Sequence, residues 1–145
     1  MSYSLALTQS LFMMLYVAFK IDHGAYDFIS TQQISQELNI PPSTAGMILR
    51  RLNRAGLIDT REGVNGGVRL AKPPENVTML DVFEAIEQER PMFQTNIELR
   101  VTGEKRTRLQ QSIFGVLESG EAAMKDRLHQ VSMRDLMNMN TMPDK

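Results

Sequence analysis

Cysteine is absent from all 145 residues. That removes disulfides, thiolate zinc sites, cysteine-ligated iron–sulfur clusters and a catalytic thiol together. Histidine is scarce as well. His23 and His129 lie far apart in the chain without a partner at metal-ligand spacing, so both are expected to be structural or exposed and no metal site is expected. Long apolar runs are lacking: the longest, Leu11 to Phe19, falls well short of the roughly 20 residues that cross a bilayer. The first ten residues hold no Lys or Arg, which argues against a secretory leader. Phosphate-cradling glycine loops, nucleophile elbows and metal-binding His pairs are also missing, so no enzyme activity is expected. These gaps together suggest a cytoplasmic protein with no membrane partner and no cofactor.

What remains is ordinary globular material, 42% hydrophobic and 23% charged, enough for one domain with an appendage. The eleven methionines are read as adaptable packing. The net charge of −1 hides an uneven distribution. Residues 41–72 carry Arg50, Arg51, Arg54, Arg61, Arg69 and Lys72 against only Asp59 and Glu62, while the flanks on both sides are acidic. A local basic footprint is what phosphate binding requires, whatever the global sum.

Periodicity supplies the organisation. A helix from about Tyr3 to Lys20 is apolar on nearly every face, so it must be buried on one side by its own domain and on another by a second subunit. Phe28-Ile29 suits a short strand. Ser30-Thr31-Gln32-Gln33 has capping-box spacing and opens a short helix to Leu38. Pro42 suits the first position of a following helix that runs to Ala55, with Ala45, Ile48, Leu49, Leu52 and Ala55 as its buried stripe and Gly56 as its left-handed stop. Residues 57–61 and 67–71 flank a glycine-rich tip and read as a β-hairpin. Thr78 to Asp81 caps another helix. Residues 91–103 read as a linker. From Glu104 to Val131, Leu109, Ile113, Val116, Leu117, Met124, Leu128 and Val131 return at spacings of three and four, one stripe on a long helix that a second copy would cover. Ser132 to Asp135 caps a short closing helix, and residues 139–145 form a tail.

The fold expected is mainly α with a small β-hairpin wing: a winged helix-turn-helix over residues 1–90 and a C-terminal dimerisation unit over 104–138. Ser43, Thr44, Met47, Arg50, Arg51 and Arg54 share the exposed face of the second short helix. Arg61, Asn65, Gly66, Gly67 and Arg69 belong to the hairpin. Hydroxyls and free amides in a helix's first turn, arginines further along and a small flexible tip suit a major groove with its flanking phosphates. A homodimer would place two such helices about 34 Å apart on a pseudo-palindromic duplex. The alternative is a winged-helix module whose basic face meets an acidic protein partner.

The residues also resemble a family. Ile40-Pro41-Pro42-Ser43, Ile48-Leu49-Arg50-Arg51-Leu52 and Ala55-Gly56-Leu57-Ile58 are similar to the DNA-reading part of the Rrf2 family of bacterial transcriptional regulators. The runs Gly66 to Glu75 and Val77 to Glu87 resemble its wing and the helix after it, and Ser132 to Met137 its closing segment. The resemblance implies a homodimeric winged-helix repressor or activator with a long C-terminal dimerisation helix. The sequence leaves its signal open among a small molecule, a partner protein and none at all. The family's best-known members sense iron, nitric oxide or redox state through a cluster held by three cysteines after the "Ala-Ile-Glu" helix. The corresponding stretch, Arg90 to Thr95, has none, which points to a clusterless branch. Where the family's wing usually reads Val-Arg-Gly, this chain has Arg61-Glu62-Gly63. Glu62 would repel phosphate, which shifts the wing's contacts to Arg61, Asn65 and Arg69.

Overall fold

A computed structural model describes residues 5–24, 26–88 and 90–139. Helix α1 (Leu5–Asp22) supplies the centre of the core: Met13, Met14, Val17 and Ala18 are buried, while Leu5 and Phe12 are exposed. By length and composition α1 is apolar enough to cross a membrane, but one face is committed to packing against α3, α4, α6 and the hairpin.

Helix α2 (Thr31–Glu37) starts at Ser30, whose Oγ accepts the Gln33 amide at 3.1 Å. Only half of the expected box forms, because the Gln33 side chain donates to the Tyr16 hydroxyl and so ties α2 to α1. The turn into α3 (Pro42–Arg54) is fixed by Asn39 in the left-handed region, by Ile40 N–H donating to Ser35 C=O, and by Ser35 Oγ donating to Ile40 C=O at 2.6 Å. Helix α3 buries Ala45, Ile48, Leu49 and Leu52; Ala55 lies beyond its last turn and is exposed. Gly56, at φ +76°, donates to Asn53 C=O, and Leu57 donates to Leu52 C=O. This Schellman pair satisfies two terminal carbonyls and turns the chain toward the hairpin.

Strands β1 (Ile58–Arg61) and β2 (Gly67–Leu70) pair antiparallel, with Ile58 opposite Leu70 and Arg61 opposite Gly67. Ile29 and Val68 exchange both backbone hydrogen bonds, so the Phe28-Ile29 segment extends the hairpin by one bridge on the β2 side. Ile29, Ile58 and Val68 point into the core. A 3-10 turn (Pro74–Asn76) leads to α4 (Met79–Glu87), whose Thr78–Asp81 capping box is complete. No regular element is assigned from Arg90 to Gly103.

Helix α5 (Glu104–His129) buries none of its residues. The apolar positions expected to form one stripe divide into two. Leu117, Met124 and Leu128 are half-buried on a helix that packs against α4, and Glu121 between them accepts the Met92 amide at 2.8 Å. Leu109, Ile113 and Val116 are 59%, 48% and 71% exposed, and Gly120 and Ala123 continue their line at alternating steps of four and three. Val131 leaves the stripe altogether: it is buried, its carbonyl accepts the Met79 amide, and the next residue, Ser132, bridges to Thr78. It belongs to the core rather than to an intersubunit face. Helix α6 (Met133–Met139) is capped by Ser132 and Asp135 acting reciprocally and buries Met133 and Met137. Arg134 bonds Asp22 at 3.1 Å and faces Glu75, tying α6 to the end of α1 and to the 3-10 turn. Those two carboxylates hold its guanidinium above its ordinary pKa. The expected starts and ends at residues 3–4 and 140–145 lie outside the described residues.

Candidate nucleic-acid interface

Helix α3 presents the first part of the interface. Pro41 offers its N-terminus no side-chain cap and Pro42 brings no N–H, so the amides of Ser43 and Thr44 begin the helix uncapped. The positive end of the helix dipole lies there. Ser43 is exposed and Thr44 half-buried. Arg50 and Arg54 are exposed on the same helix.

Arg51 and Met47 stand apart from that set. Arg51 is half-buried and its Nη1 donates to Ile86 C=O at 2.9 Å, one of the last carbonyls of α4. A cation on a helix C-terminus satisfies an otherwise orphaned acceptor and complements the dipole. The Arg51 guanidinium is therefore a strut between α3 and α4. Met47 is half-buried against the core cluster.

The hairpin supplies the second part. Its outward face carries Asp59, Arg61 and Arg69, opposite the buried Ile58 and Val68. Arg69 Nε lies 3.5 Å from Asp59 Oδ2, both about half exposed. Both guanidiniums sit over the Phe28 ring, Arg69 at 4.8 Å and Arg61 at 5.4 Å from its centroid. Phe28 was legible in the sequence only as part of a short strand. Its role beside the arginines depends on the Ile29–Val68 bridge, 39 positions apart in number and invisible to local patterning.

Gly66 and Gly67 serve the backbone. A Cβ on Gly67, at φ +145°, would overlap Ile29 C=O, and one on Gly66 would overlap the Arg61 carbonyl. Both glycines are half-buried. The exposed tip is Gly63, Val64 and Asn65, with Glu62 beside it.

The two histidines lie at helix ends. His23 Nδ1 pairs with Phe19 C=O at 2.8 Å, closing α1, and His129 is exposed in the last turn of α5. Among the described residues, no group of three or more His, Cys, Asp or Glu is placed to hold a metal ion.

Against known proteins, residues 3–139 match the family model Rrf2, described as "Iron-dependent Transcriptional regulator". A stretch of 66 residues is 36% identical to YwgB of Bacillus subtilis, covering 46% of this chain and 42% of that protein. The HTH-type transcriptional regulator NsrR of Shouchella clausii is 29% identical over 133 residues, covering 88% of this chain and 83% of its own. The fold is similar to the solved structure of CymR, the global cysteine regulator of B. subtilis. That match has a TM-score of 0.67 at 22% identity and covers 96% of this chain and 98% of that one. The family and these relatives are regulators of transcription, not enzymes. The chain has no cysteine and so offers no thiolate to the iron in the family's description.

Proposed function

Given that the chain belongs to the Rrf2 family of transcriptional regulators, we propose that it acts in the cytoplasm as a homodimeric, sequence-specific DNA-binding regulator that carries no iron–sulfur cluster. Each α3 enters a major groove of a pseudo-palindromic duplex, with half-sites about 34 Å apart. Ser43, Thr44, Arg50 and Arg54 make the groove and phosphate contacts. Arg61, Arg69 and the tip around Asn65 lie against the backbone or minor groove.

The observation that carries this reading is the shared exposure of Arg50 and Arg54 on α3 with Arg61 and Arg69 on the hairpin's outer face, beside an uncapped helix start. The dimer is supported by the open line Leu109, Ile113, Val116, Gly120 and Ala123. Its spacing is that of a helix seam, and its small residues admit a close partner. No neighbouring atom lies within 4 Å of where a Gly120 Cβ would stand, so that close approach is open to a second copy. The exposed Leu5 and Phe12 of α1 offer further apolar surface for it. A cleft of about 340 Å³ lined by Ile21, Asp22, Arg69, Leu70, Lys72 and Pro73 reaches a wing arginine, so an effector seated there would touch the DNA-facing surface.

Selection of bound sequences from a random duplex pool tests the proposal. Enrichment of a two-fold symmetric site supports it. Recovery of no enriched sequence, with no salt-sensitive binding to the starting pool, refutes it and favours the acidic-partner module.

A further inference from the structure

Phe28 is the least expected member of the hairpin surface. The Ile29–Val68 pair exchanges both backbone bonds, which in an antiparallel register sets Phe28 directly opposite Arg69 in the closer, non-hydrogen-bonded position. Asp59 stands opposite Arg69 on the other side. Phe28, Arg69 and Asp59 therefore form a row across three strand segments on the solvent face. Arg61 reaches the same ring from β1, and its cross-strand partner is Gly67, which has no side chain to block the way. The close approach of Ile29 C=O excludes any larger residue at that point. One half-buried ring thus gathers two exposed guanidiniums that lie 8 positions apart in sequence number.

We propose that Phe28 is a positioning residue for DNA binding: its ring holds Arg61 and Arg69 as a preset pair of arms for phosphate oxygens of the duplex. This rests on the reading that the winged face binds DNA. An arginine free in solvent loses rotamer freedom when it is fixed on a phosphate, and a guanidinium already stacked on an aromatic face has lost part of that freedom beforehand. The ring's negative face also offsets the repulsion between the two neighbouring cations. Phosphates carry no sequence information directly, so the effect is uniform across duplexes.

The test compares wild type, Phe28→Leu, Phe28→Tyr and Arg61→Ala/Arg69→Ala, the last with and without Phe28→Leu, by anisotropy on a fluorescent random duplex at several salt concentrations. Phe28→Leu is expected to weaken binding about three- to tenfold with an unchanged salt slope, since every charge remains. Phe28→Tyr restores binding. In the double-alanine background Phe28→Leu has no further effect. A DNA-free readout accompanies these: ring-current shifts on the Arg61 and Arg69 side-chain NMR signals, present in wild type and lost in Phe28→Leu. Equal binding by Phe28→Leu and wild type overturns the proposal while leaving the DNA reading intact. The same is true if its loss persists in the double-alanine background or if the ring-current shifts are absent. If wild type binds no duplex at all, the DNA reading falls and this proposal with it.

Discussion

Replacing Arg51 with Ala separates two roles among three arginines that the sequence presents as one set on one helix. Arg51 donates to the Ile86 carbonyl at 2.9 Å, whereas Arg50 and Arg54 are exposed. A hydrogen bond to a charged donor contributes about 1.5–3 kcal/mol. Because Arg51 is only half-buried, the lower end applies, so Arg51→Ala is expected to cost about 1.5 kcal/mol. For a chain of this size that lowers Tm by about 3–6 °C. Arg50→Ala and Arg54→Ala leave Tm within about 1–2 °C, the range of ordinary surface substitutions. Salt titrations of duplex binding give the opposite pattern. Losing one phosphate contact flattens the slope of log K against log salt by about 0.9 per subunit bound. Arg50→Ala and Arg54→Ala show that change, and Arg51→Ala keeps the wild-type slope. Calorimetry or thermal circular dichroism, paired with anisotropy, reads both quantities. An Arg51→Ala protein with unchanged Tm and a flattened slope would refute the assignment of this side chain to the α3–α4 junction.

Three other substitutions probe the remaining parts. Ile113→Asp puts a carboxylate into the open seam of α5, where burial of each protomer's Leu109, Ile113 and Val116 would contribute about 1–2 kcal/mol per side chain. Light scattering is expected to show a monomer with its helix content retained; a dimer at micromolar concentration would place the seam elsewhere. Asp59→Asn removes the partner 3.5 Å from Arg69 and frees its charge. Duplex affinity should rise about two- to fivefold at low salt, the worth of an exposed ion pair, and a fall would mean that Asp59 serves the complex rather than restraining it. Gly67→Ala drives a Cβ into Ile29 C=O at φ +145° and is expected to cost at least about 2 kcal/mol through strain and loss of the Ile29–Val68 bridge. Chemical denaturation measures that cost, and a loss below about 0.5 kcal/mol would show that the wing accommodates a side chain there.

The contrast among these sites shows what the sequence could and could not disclose. Short-range chemistry was readable. Ser30 caps α2, Pro42 opens α3, Gly56 closes it in the left-handed region, and Thr78–Asp81 and Ser132–Asp135 form reciprocal caps. Each depends on residues within about four positions, the range over which backbone hydrogen bonding is local. The hairpin followed from two short segments flanking a glycine-rich tip, and the long α5 from apolar residues at spacings of three and four. What escaped were features set by particular distant partners. Arg51 is separated by 35 positions from the carbonyl that holds it. Gln33 leaves its expected cap for Tyr16, 17 positions away. Helical spacing alone merged two neighbouring faces of α5 and drew in Val131, which backbone pairing with Met79 and the Ser132–Thr78 bridge place in the core. Gly66 and Gly67 looked like a flexible groove-reading tip because composition cannot show a carbonyl pressed against them.

The central claim is that α3 and the hairpin together face a nucleic-acid duplex in a two-fold assembly. Its most direct test is the salt dependence and stoichiometry of binding to a selected symmetric duplex. Arg50, Arg54, Arg61 and Arg69 from two subunits predict a log–log slope of about −7, on the order of a ten-thousandfold loss of affinity between 50 and 200 mM salt, with two chains per duplex. Binding that ignores salt, or saturates at one chain per duplex, would contradict it.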